Sequence, residues 1–85
     1  MKEITIVKIS NPEKYKPYGQ TYGILEDILD QTAIINWCSN MGGVCTNVAH
    51  EDYSIVPAYR WDVVDGEVII PCYGGYIRTG LKVWR

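Results

Sequence analysis

The chain has 85 residues, a net charge of −2 and 47% hydrophobic residues, material for one domain, residues 1–85. At this length about 60–65% of the extended surface is buried, enough for an unstapled core if the apolar residues point inward. No stretch reaches the roughly 20 apolar residues of a membrane helix, and no signal-peptide cleavage site follows the short N-terminal apolar run. Cys38, Cys45 and Cys72 are an odd set, which suits reduced thiols and a cytoplasmic setting better than a disulfide framework.

In chain order, residues 3–9 alternate as a strand, with Ile4, Ile6 and Lys8 on one side and Thr5, Val7 and Ile9 on the other. Residues 10–20 hold Pro12, Pro17 and Gly19 and read as a loop. Residues 22–29 fit either a short helical face or a bulged strand. Gly23 favours the strand, because glycine costs about 1 kcal/mol in a helix interior. Residues 32–37 are β-branched and aromatic and should pair with the preceding segment as a hairpin. After a turn at 39–43, residues 44–49 form the next strand, and residues 50–57 fit one 3₁₀ turn better than a strand.

Residues 59–64, Asp65-Gly66 and residues 67–70 make the clearest hairpin, since Asp-Gly supplies both positive φ values of a type I′ turn. Pro71 is expected to close that strand for want of an N–H. Residues 76–78, a turn at Thr79-Gly80 and residues 81–84 predict a last short hairpin. Six to eight short strands at this spacing predict an all-β, mainly antiparallel fold.

Part of this pattern resembles the SH3-like barrels of small bacterial and phage modules. The resemblance covers residues 3–56 and rests on Lys16-Pro-Tyr-Gly-Gln20, Thr21-Tyr-Gly-Ile-Leu-Glu-Asp27, Ile34-Ile-Asn-Trp37 and His50-Glu-Asp-Tyr53. It implies a small barrel with an added C-terminal hairpin drawn from residues 60–85. Ser54-Ile-Val-Pro-Ala-Tyr59 is similar to the Pro-x-x-Tyr close of peptide-binding SH3 domains, with spacing that departs by one residue. The acidic-aromatic loop signature and tandem Trp of Pro-rich-peptide binders are absent, so that ligand is not carried over.

For chemistry, Cys45 and His50 are the one nucleophile–base pair to weigh, but a five-residue offset on a strand separates their faces. Cys38, Cys45, His50 and Cys72 could fill a zinc site, yet no Cys-x-x-Cys knuckle is present. The glycines of residues 41–43 and 73–76 read as turns, since no phosphate-loop helix follows either. Glu26-Asp27 and Glu51-Asp52 lack metal-loop spacing and read as solvated surface. No cofactor or metal is expected.

Binding is the stronger expectation. Seven Tyr and three Trp with no Phe supply amphipathic rings. Charge is segregated, with acids concentrated between Glu26 and Glu67 around a single Arg60. Lys2, Lys8, Lys14, Lys16, Arg78, Lys82 and Arg85 lie outside that span and would share one region if the terminal strands paired. Tyr73, Tyr76, Arg78, Lys82, Trp84 and Arg85 interleave aromatic and basic residues, and loop residues Tyr15 and Tyr18 extend the set. Such a cluster suits a protein partner, where Tyr, Trp and Arg dominate hot spots. It equally has the composition of a single-strand or RNA platform. The expectation is a non-enzymatic module that binds a protein, in the style of a phage-encoded inhibitor of a host or defence enzyme. The alternatives are a small RNA- or single-strand-binding barrel and a Cys/His enzyme.

Overall fold

The structure, a computed structural model, describes residues 4–83. Its strands are β1 Thr5–Ile9, β2 Tyr22–Ile28, β3 Thr32–Asn36, β4 Cys45–Ala49, β5 Tyr53–Val56, β6 Asp62–Val64, β7 Glu67–Cys72 and β8 Gly75–Lys82. Among the described residues the helical pieces are short 3₁₀ turns at Pro12–Tyr15, His50–Asp52 and Ala58–Arg60, and no helix is long and apolar enough to cross a membrane. A five-stranded sheet runs β4-β3-β2-β1-β5 and a three-stranded sheet runs β6-β7-β8. Every ladder is antiparallel. The all-β class read from the sequence is the observed one.

Strand β1 explains why the chain needs two sheets. Its residues alternate, but Ile6 on one side and Val7 and Ile9 on the other are all buried, so both faces must be covered. Val7 and Ile9 join Ala33, Ile35, Trp37 and Val48 in one core. Because β4 and β1 stand at separated places in the sheet yet share that core, the sheet curves around it. Ile6 points the other way and joins Tyr22 and Ile24 against Trp61, Val68, Ile70 and Leu81, the inner face of the second sheet. Gly23 sits where β2 crosses the first core: a Cβ there would lie 2.3 Å from Ile35 Cγ2 and 3.3 Å from the Trp37 ring.

Residues 22–29 adopt the bulged-strand alternative, with the register shift between Leu25 and Asp27. Asp65 (φ 52°) and Gly66 (φ 78°) form the expected turn. Elsewhere tertiary pairing overrode local signals. Residues 50–57 divide into a 3₁₀ turn and a strand, because β5 finds β1 as a partner through Ile6↔Val56 and Ile9↔Tyr53. Residues 59–64 are not one strand: Ala58–Arg60 is a 3₁₀ turn, and Trp61 turns into the inter-sheet core before β6 begins.

Pro71 does not end β7. It pairs with Tyr76, while β6 reaches only as far as Ile69, so the missing N–H faces no third strand. Thr79-Gly80 is not a hairpin turn but a bulge inside the single strand β8, where the register shifts opposite Val68. The turn before β8 lies at Tyr73-Gly74, with Gly74 at φ 83°. Finally, β1 pairs with β2 and β5, not with β8, so the terminal strands do not gather the basic residues by pairing.

Candidate binding surface

The basic residues of the C-terminal third are organised by one buried acid. Glu67 opens β7 with 6% of its surface exposed. Its carboxylate accepts from Arg78 Nη2 at 2.8 Å, from the Gly80 backbone N–H at 3.0 Å and from Lys82 Nζ at 3.4 Å. The Arg78 hydrogen bond first, then the Gly80 N–H and Lys82, hold the Glu67 carboxyl down at about 2. The bulge makes this geometry. Thr79 Oγ1 donates to the Val68 carbonyl at 2.6 Å and accepts from Leu81 N–H at 3.2 Å, which turns the Gly80 N–H toward the acid. Arg78 and Lys82 therefore share one carboxylate partner from the solvent side.

Beyond Ile69 the β7–β8 ribbon continues without β6. Residues 71–78 are exposed on both faces, and among the described residues no third strand flanks them. Tyr73 is fully exposed at the tip, and Tyr76 and Ile77 are 55% and 46% exposed beside it. Large apolar groups exposed together on one ribbon make it a candidate contact surface.

The other predicted residues do not join them. Tyr15 is half-buried against the first core. Its hydroxyl donates to Asp52 Oδ2 at 2.6 Å and accepts from the Ala49 N–H at 3.1 Å. Lys14 Nζ reaches the same carboxylate oxygen at 2.8 Å. The hydrogen bonds from Lys14 and then Tyr15 lower the Asp52 carboxyl below its ordinary range. Tyr15 thus locks the 10–20 loop to the 3₁₀ turn. Tyr18 is exposed on that loop. Trp84 and Arg85 lie outside the described residues.

A second surface was missed from the sequence. Lys8 on β1 stands in a cross-strand row with Ser54 of β5 and Tyr22 of β2, at the mouth of the space between the sheets. Two cavities, of about 160 and 560 Å³, open there and share Lys8 and Tyr22 as lining. The first is walled by Ile55, Pro57, Arg60 and Ile70, the second by Gln20, Ile77 and Arg78. A lysine breaking an otherwise apolar strand face was the available signal.

The catalytic candidates are otherwise engaged. His50 Nε2 lies 2.8 Å from the Leu29 carbonyl and Nδ1 lies 2.8 Å from the Tyr53 hydroxyl. Since a carbonyl only accepts, the neutral ring carries its proton on Nε2 and accepts from Tyr53 through Nδ1. Partial desolvation and then Glu26 push the Cys45 thiol up, away from thiolate. Among the described residues no three His, Cys, Asp or Glu side chains converge as a metal site. Compared with known proteins, the chain matches no family model, no curated protein and no solved structure.

Proposed function

We propose that this chain is a non-enzymatic protein-binding module of the SH3-like barrel kind, which docks on its partner through the projecting β7–β8 ribbon. The observation that carries the reading is the exposure of Tyr73, Tyr76 and Ile77 beside basic residues that are both tied to the Glu67 carboxylate. A nucleic-acid platform needs the reverse, with free cations beside the rings. Aromatic anchors on a preorganised ribbon suit a protein pocket, where a few such side chains supply most of the affinity. A small cytoplasmic module of this kind acts by covering a partner's surface, as a phage-type inhibitor of a host or defence enzyme does. The barrel reading draws on the order of elements: a long loop after β1, a 3₁₀ turn before β5, and β5 paired back on β1.

Affinity capture from the native host tests it. One stoichiometric protein is expected with the unaltered chain, and its recovery should fall at least tenfold with Tyr73→Ala/Tyr76→Ala. Undiminished capture by that variant refutes the docking element. Retention of nucleic acid that declines steeply with salt would replace the reading with the single-strand alternative.

A further inference from the structure

The mouth between the two sheets has a charge opposite to that of the molecule. The chain carries 10 acidic residues against 8 Lys and Arg, yet among the described residues no carboxylate lines either cavity, while Lys8, Arg60 and Arg78 do. Arg78 is tied to Glu67. Lys8 and Arg60 are both exposed, and among the described residues neither forms an ion pair. Two cations with no ion-pair partner among the described residues, flanking a shared floor, favour an anion in the trough of an acidic protein.

The rest of the lining says what kind of anion. Val56, Pro57 and Ile70 on one side and Ile77 on the other give aliphatic contact along the trough. The Tyr22 ring is 9% exposed and so offers no stacking face, which disfavours a nucleotide base. Strand β5, whose Ser54, Ile55 and Val56 form one bank, is the end strand of its sheet. An end strand offers backbone hydrogen bonds to an added extended segment. Cations, aliphatic walls and an end strand that has no outer neighbour among the described residues together suit an extended peptide that alternates carboxylates with aliphatic side chains.

We propose that the trough between the sheets binds an extended acidic–aliphatic segment of a protein, with Lys8 and Arg60 holding its carboxylates and β5 supplying the strand edge. The proposal deepens the protein-binding reading in taking the ligand to be protein, but it concerns residues apart from Tyr73 and Tyr76 at the ribbon tip.

The test is an amide chemical-shift titration of the ¹⁵N-labelled full chain at about 0.15 M salt, where screening over about 8 Å removes long-range attraction. The probe is the capped peptide acetyl-Glu-Val-Glu-Ile-Glu-Val-amide. Saturable shifts are expected at Lys8, Tyr22, residues 54–60 and residues 77–79. Lys8→Glu/Arg60→Glu, exposed positions whose retained spectrum verifies folding, should weaken binding at least tenfold. Lys8→Arg/Arg60→Lys should restore it. Tyr73→Ala/Tyr76→Ala should leave peptide binding unchanged, so failure of the trough and failure of the ribbon are separately visible. The proposal is overturned if no shifts appear at millimolar peptide, or if the charge-reversed variant binds equally well. It is also overturned if the Lys-for-Glu peptide, inorganic phosphate or a ten-nucleotide oligothymidylate matches the acidic probe.

Discussion

Asn36 is 1% exposed, and its amide holds the 38–43 turn together. Oδ1 accepts from the Cys38 N–H at 2.9 Å, while Nδ2 faces Glu26 Oε2 at 2.9 Å and the carbonyls of Ser39 and Gly42. Only two hydrogens serve those three acceptors, so the group is fully committed. Asn36→Leu leaves the Cys38 N–H and a carbonyl without their partner, at about 1–3 kcal/mol for such a loss. A fall of that size in unfolding free energy by urea titration is the expected outcome. Glu67 gives a pH signature as well. Its folded-state pKa lies near 2, below the ordinary value of 4.5, so its contribution is complete above about 4.5 and is lost as pH falls toward 2. The thermal midpoint should therefore drop across that window, and the drop should be smaller in Glu67→Gln. Equal slopes in the two proteins would show that the Arg78 and Gly80 contacts do not bind the ionised form preferentially.

At the level of elements, the bulge in β8 joins the fold to the candidate surface. Gly80 sits at φ 80°, and a Cβ there would meet nothing within 4 Å. The cost of Gly80→Ala is therefore backbone strain alone, about 1–2 kcal/mol for a left-handed L-residue. Gly23→Ala has the opposite cause: the backbone is ordinary, but the added carbon would stand 2.3 Å from Ile35 Cγ2. Overpacking of that kind costs about 1–3 kcal/mol, and the two variants separate in practice. Relief of strain by Gly80→Asn should recover part of the loss at the bulge, because asparagine tolerates the left-handed region. No polar substitution should rescue position 23. Thermal melts of the four proteins measure this. The same contrast shows what was legible. Thr79-Gly80 signals positive φ, which a turn and a bulge share. Choosing between them depends on Glu67, thirteen residues away and hydrogen-bonded to the Gly80 N–H. Asp65-Gly66 needed no such partner, and its hairpin could be read directly. The ribbon aromatics Tyr73 and Tyr76 were visible as composition. The sharing of Glu67 by Arg78 and Lys82, and the approach of Lys8 and Arg60 to one cavity, arise from long-range contacts that no local window contains.

For the whole molecule, the deciding fact is that neighbouring residues of β1 serve different cores. Ile6 packs on the second sheet and Val7 inside the first. Damage to either core should therefore reach β1 and through it the other. Trp61, 3% exposed, is the largest side chain holding the second sheet to the first, and Trp61→Ala should cost about 3–5 kcal/mol. Against the typical 5–15 kcal/mol of a domain, that is a large share. Native-state hydrogen exchange tests the coupling residue by residue. In the unaltered chain, amides of β1, β3 and β7 that share the two cores should exchange with one common free energy. Residues 71–77 of the exposed ribbon should exchange by local opening at far lower free energy. In Trp61→Ala the β3 amides, which touch only the first core, should lose protection as much as those of β7. If β3 kept its protection while β7 lost it, the sheets would be separate folding units, and the trough between them would be a hinge.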